Sequence, residues 1–192
     1  MCPKTKDQFE QIREESREKI LNAALKLFGT KGYEHSTIAD VMKLAGVSKG
    51  LLYHYFANKE DLVKQLVFDL INKTDALLFD HAIIDPNQLL KNIFTQFFQE
   101  LRNNFEQWTL LANLGMQLGK FDWIRQLAND QMQQALAYIE EILIKIDWPD
   151  PCAEAKILVA LFDGISFQYL WFKKDYHLDE LENILINKYC KQ

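Results

Sequence analysis

The feature that most limits how this chain can fold lies between Thr37 and Tyr55, where two short amphipathic stretches flank Ala45-Gly46-Val47. Thr37 opens a capping box with Asp40, and Ile38, Val41 and Ala45 then recur on one helical face, which predicts a helix of about two turns. Gly46 supplies the permissive backbone of a tight turn, and Ser48 is a good N-cap for a following helix that runs to about Tyr55. Ile38, Val41, Ala45, Val47 and Leu52 are small or apolar where two such helices touch. Ser48, Lys49, Gly50, Tyr53 and His54 are left facing outward. The pattern is a helix-turn-helix, a unit that projects its second helix from the surface.

The rest of the chain is punctuated the same way. Ile20, Ala24, Leu27 and Phe28 line one face of a first helix that ends at Gly29 and Gly32. Asn58 with Asp61 caps a fourth, continued inside by Leu62, Leu66, Ile71 and Leu78. Asp85-Pro86 and Asp150-Pro151 each place an N-cap residue before a proline suited to the first helical position. Helices over 86–103, 105–118, 121–146, 151–173 and 178–190 follow. With only 7 Gly and 4 Pro in 192 residues and no clear alternating stretches, the expected class is all-α with about nine helices. A head over residues 1–62 is expected to join a body over 63–192 through the long fourth helix.

The net charge of -5 argues against a polyanionic partner until the chain is divided. Residues 1–65 carry 11 Lys/Arg against 9 Asp/Glu, a net of +2, and residues 66–192 carry 11 against 18, a net of -7. A mildly basic head on an acidic body is compatible with local contact to nucleic acid. Lys4, Lys6, Arg13 and Arg17 are interleaved with acids, which favours a solvated helical face over a basic arm. Cys2, Cys152 and Cys190 form no paired motif, so free thiols in a reducing, cytoplasmic setting are expected. The start lacks the apolar core of a signal peptide, and Ile157–Phe172, interrupted by Asp163 and Gln168, reads as a buried helix rather than a membrane span. No metalloprotease, nucleophile-elbow or phosphate-loop motif occurs, and His35, His54, His81 and His177 are dispersed. Neither a catalytic residue nor a metal or cofactor site is assigned.

The stretches Phe28-Gly29-Thr30-Lys31-Gly32-Tyr33, Ser36-Thr37-Ile38, Ala45 to Gly50, and Leu52 to Leu62 closely resemble the DNA-binding domain of the TetR (tetracycline-repressor) family. The likeness runs almost without a break from Ile20 to Leu62. It implies that Thr37 donates to a phosphate at the start of the second helix and that Ser48, Lys49 and Gly50 meet the backbone and groove floor. It also implies base or phosphate contact by Tyr53, sequence reading by His54, and phosphate contacts by Tyr55 and Lys59. For Tyr55 and Phe56 a place in the core is the competing reading, and for Lys59 a solvated one. Gly50 inside a helix costs about 1 kcal/mol relative to Ala, a cost that close approach to DNA would explain.

One head reads a half-site, so a homodimer on a palindromic double-stranded operator is expected. Leu161, Gly164, Ile165, Leu181 and Leu185, on the last two long helices, are candidates for its interface, the alternative being that both helices complete a monomeric core. Phe94, Phe98, Trp108, Asn113, Met116, Gln117, Phe121 and Tyr138 are candidates to line a pocket for a small hydrophobic ligand, with no charged residue clearly inside. The combined expectation is a ligand-responsive regulator, a repressor released when its effector shifts the population of states and moves the fourth helix. A helical protein-interaction module without specific DNA binding is the alternative, and an enzyme with a site assembled only in three dimensions is the other rival.

Overall fold

In a computed structural model, residues 6–78, 83–116 and 121–190 are described, and among them every regular element is helical. The order is α1 (Lys6–Lys31), α2 (Ile38–Ala45), α3 (Lys49–Tyr55), α4 (Lys59–Leu78), α5 (Pro86–Asn103), α6 (Phe105–Gly115), α7 (Asp122–Lys145), α8 (Pro151–Phe172) and α9 (Leu178–Tyr189). A single 3-10 turn, Lys173–Asp175, precedes α9. The chain divides into two compact units, Met1–Ile71 and Asn72–Gln192, so the division falls inside α4.

Local chemistry accounts for the starts of these helices. The side chains of Thr37, Ser48, Asp85 and Asp150 each accept a backbone N–H from the first turn of the helix that follows. Asn58 does the same for Asp61, at 2.8 Å. Pro86 and Pro151 stand at the first helical position, where a missing N–H leaves nothing unsatisfied. Between α1 and α2 the buried Ser36 hydroxyl is within bonding distance of the carbonyls of Gly32 (2.9 Å) and Leu27 (3.3 Å), which closes the loop.

The first unit is held by Ile20, Ala24 and Phe28 of α1, Val41 of α2, Leu52 of α3, Phe56, and Leu62 and Val63 of α4, all fully buried. The second unit packs α7 along α8 and α5 against α9 and α7. Its core is rich in aromatics: Phe94, Phe97 and Phe162 form a ring cluster that continues to Tyr189, itself stacked under Trp148. Burying each such ring contributes about 1.5–3 kcal/mol. Glu154, near the start of α8, accepts the Tyr189 hydroxyl and so pins the end of α9 to it.

The apolar helix α8 is longer than the run Ile157–Phe172 suggests, because the Asp150 cap starts it at Pro151. At 22 residues it is long and apolar enough, by length and composition, to cross a membrane. In this fold it buries Ala155, Leu158, Ile165 and Ser166 and packs on α7 and α6, with other apolar residues left exposed.

Candidate nucleic-acid interface

The turn between α2 and α3 is closed by Gly46, whose φ of 67° is left-handed and whose N–H reaches the Met42 carbonyl. The Val47 N–H reaches the same carbonyl at 3.1 Å. Val41 and Leu52, both fully buried, lock the two helices on their inner side, and Ile38, Ala45 and Val47 are half-buried beside them. Four outward residues of α3, Lys49, Gly50, Tyr53 and His54, are exposed and fall at i, i+1, i+4 and i+5, which places them on one face. The Lys49 ammonium lies 5.9 Å from the Tyr53 ring centroid. A Cβ added at Gly50 would meet nothing within 4 Å, so no neighbour in the chain demands a glycine there.

Thr37 is exposed at the head of α2, but its hydroxyl is engaged. It donates to the Asp40 carboxylate at 2.7 Å and accepts the Asp40 N–H at 3.1 Å, while the Thr37 N–H donates to the same carboxylate at 3.0 Å. The Thr37 side-chain and backbone hydrogen bonds, helped by Lys31 and Lys43, hold the Asp40 carboxyl below its usual range. The groups at this helix end without an intrahelical partner are the first backbone N–H groups, a ready anion site in themselves. Ser48 accepts the Leu51 N–H at 3.2 Å and keeps its own proton for an outside acceptor.

Tyr55 is half-buried, and its hydroxyl donates to the Arg13 carbonyl at 3.1 Å. Lys59, also half-buried, places its ammonium 4.1 Å from the Tyr33 ring centroid. Both thus have work inside the head as well as a place near its edge. Phe56 is in the core. Arg17 lies between Glu14 (3.7 Å) and Asp69 (3.8 Å), which ties α1 to α4.

In the second unit the candidate ligand residues differ in burial. Phe94 and Phe98 are fully buried core, Phe121 is 7% exposed, and Met116 is 69% exposed. Trp108, Asn113 and Tyr138 are half-buried, and Gln117 lies outside the described residues. The Trp108 indole N–H is buried with no hydrogen-bond partner.

A polar junction that the residue pattern hides lies on the inner faces of α4, α6 and α7. Gln107 of α6, only 7% exposed, donates to the Thr74 hydroxyl of α4 at 3.1 Å. Beside Thr74, the half-buried Asp75 accepts a hydrogen bond from Gln131 of α7, and burial pushes its carboxyl above the ordinary value. None of these four residues is among the ligand candidates drawn from the sequence. The available signal was positional: Gln131 interrupts the stripe Ile124, Leu127, Ala135, Tyr138, Ile142, and Gln107 continues the row of Leu110 and Leu114.

The interface candidates also separate. Ile165 and Leu185 are 5% and 6% exposed and belong to the subunit's own core, so they are not available to a second chain. Leu161 is exposed, Gly164 and Leu181 are half-buried, and a Cβ at Gly164 would meet only open space. The exposed large apolar residues of α8 and α9 are Ile157 (49%), Leu161 (38%), Phe167 (37%), Trp171 (73%), Phe172 (56%) and Ile184 (50%).

Residues 20–66 match the family profile described as bacterial regulatory proteins, tetR family. The chain is 34% identical over 153 residues to the A-factor receptor protein of Streptomyces griseus, covering 77% of this chain and 52% of that protein. It is 33% identical over 104 residues to the HTH-type transcriptional regulator TtgR of Pseudomonas putida, covering 53% of this chain and 48% of that one. The chain thus spans about half the length of the curated relatives it matches. A transcriptional regulator from Rhodococcus sp. has the same fold, with a TM-score of 0.75 at 20% identity over 90% of this chain and 95% of that one.

Proposed function

We propose that the chain, whose residues 20–66 match the profile of the tetR family of bacterial regulatory proteins, is a member of that family and a ligand-responsive transcriptional repressor of the cytoplasm, not an enzyme. It binds a palindromic double-stranded operator as a homodimer and is released by a small effector held in the second unit. The observation that carries the reading is the exposed α3 face of Lys49, Gly50, Tyr53 and His54, set by the Gly46 turn and by buried Val41 and Leu52. A short helix held in this way, with donors, a cation and an aromatic outward, is the geometry of major-groove reading.

The N-terminal N–H groups of α2, Ser48 and Lys49 position the head on phosphates, Tyr53 and His54 read the groove, and Tyr55 and Lys59 border the contact. The apolar surface of Ile157, Leu161, Trp171 and Ile184 supports a second copy of the chain as partner. Helix α4 contributes residues to both units, so an effector that displaces its later turns changes the population of operator-competent heads. A coupling of about 1–3 kcal/mol corresponds to roughly 5- to 150-fold in operator affinity.

The test is binding of the full chain to a selected palindromic duplex between 50 and 200 mM salt. Steep weakening is expected, with a slope set by the number of phosphates neutralised. Tyr53→Ala should lose preference for the selected duplex over random DNA, and Lys59→Ala should weaken both alike and reduce the slope by about one. A response flat with salt ends the repressor reading.

A further inference from the structure

We propose that Thr74, Asp75, Gln107 and Gln131 form a recognition site for an amine, so that the effector is a small amphipathic molecule bearing a primary or secondary ammonium group. The inference rests on the reading that the second unit takes an effector, and names that effector's chemistry.

The four residues come from three helices and face inward on each. Thr74 continues the inner row of α4 that Val63, Leu66, Val67 and Leu70 begin, and Asp75 lies at its edge. Gln107 continues the row of Leu110 and Leu114 on α6, and Gln131 falls within the apolar stripe of α7. A structural role alone would be served by Leu or Met at these points. The sequence instead places a carboxylate, a hydroxyl and two amides among apolar neighbours.

The hydrogen bonds within the group leave a carboxylate without a counter-charge. One Gln107 amide N–H is spent on Thr74, and one of Gln131 on Asp75. What remains is one N–H on each amide and the Thr74 hydroxyl proton as donors, against both amide carbonyls and most of the lone pairs of the Asp75 carboxylate as acceptors, so the Asp75 charge is what selects the sign of a ligand. No cation pairs with Asp75 among the described residues, and burial without a counter-charge disfavours its ionised form. A charge kept in such surroundings without a partner is a standing cost to the fold. An ammonium group with two or three N–H donors removes that cost and meets the unspent acceptors together. A carboxylate ligand would be repelled, and an alcohol would satisfy one acceptor and leave the charge unpaired.

The chemistry can be tested without knowing the natural effector, using decylamine, decanol and decanoate below their micellar concentrations. Calorimetric titration of the full chain at pH 7 should show decylamine binding at least about tenfold more tightly than the other two. Asp75→Asn should abolish that preference, and Asp130→Asn, its exposed counterpart beside Gln131, should keep it. Gln107→Met, which retains the carboxylate, should weaken decylamine about 3- to 10-fold and leave decanol unchanged. The unliganded Asp75→Asn chain should melt no lower than the original. Equal binding of decanol and decylamine, a preference that survives Asp75→Asn, no decylamine binding at all, or a marked loss of stability in Asp75→Asn would each overturn the site. Operator affinity measured with and without decylamine separates the two readings. Binding without any change in operator affinity ends effector release but keeps the amine site. Absent amine preference with intact operator binding ends the site and keeps the DNA-binding head.

Discussion

The Tyr55 hydroxyl donates to the backbone carbonyl of Arg13 at 3.1 Å, so the last turn of α3 is fastened to α1 by a single side chain. A tyrosine in this position has a structural duty that does not depend on DNA. Replacing it with Phe keeps the ring and removes only the bond, which should lower unfolding free energy by about 0.5–1.5 kcal/mol in urea titration of the DNA-free chain. Unchanged stability would mean that the hydroxyl serves only an outside acceptor such as phosphate.

Two glycines of the helix-turn-helix should respond in opposite ways to the same change. Gly46 has a φ of 67°, so Gly46→Ala carries the left-handed penalty of about 1–2 kcal/mol although its Cβ meets nothing. Gly50 sits in α3 without positive φ and with open space where a Cβ would go. Gly50→Ala should therefore stabilise the free chain by up to about 1 kcal/mol through helix propensity. It should at the same time weaken operator binding, because the added methyl stands where the groove approaches. Thermal melts paired with operator titrations check both halves. A Gly50→Ala chain that gains stability and keeps full affinity would remove Gly50 from the interface.

Helix starts were readable because their causes are local. Thr37, Ser48, Asp85 and Asp150 cap the helices that follow them within three residues, and the predicted starts agree with the observed ones to within a residue. Side-chain destinations were less readable, because they depend on how each helix is rotated against partners distant in sequence. Leu161 and Ile165 differ by about one turn on α8, yet the first is exposed and the second buried. Met116 looks like lining by type and lies at the surface at the end of α6, whereas Gln107 looks like surface by type and is buried. In the head, Tyr53 is exposed on α3, whereas Phe56, the first residue past the helix and in extended backbone, turns into the core.

Asp40 gives the head a predictable acid sensitivity. Its carboxyl is held low in the folded chain by the Thr37 hydrogen bonds, so the folded state binds the proton less readily than the unfolded one. The stabilisation is therefore present in full above the ordinary carboxylate range, and is lost as pH falls through the depressed folded value. Urea unfolding of the original chain and of Asp40→Asn across pH 2–7 should show a constant difference at neutral pH that vanishes at the acid end. A difference that persists undiminished at pH 2 would show that the carboxylate's charge is not what the box uses.

The exposed face of α8 and α9 should respond to charge. Trp171 is 73% exposed and its ring packs against Phe167 at 6.4 Å, and Ile157, Leu161 and Ile184 are exposed on the same pair of helices. If this surface joins two copies, Trp171→Glu buries a carboxylate on both sides of the symmetry axis, since a two-fold interface uses each patch twice. The variant should sediment as a monomer at micromolar concentration where the original chain is a dimer. Operator affinity should fall steeply, because a lone head contacts one half-site. The fold of the isolated subunit should hold, because the exposed Trp171 side chain leaves its core intact. A dimer undiminished in Trp171→Glu and in Leu161→Glu would move the interface elsewhere.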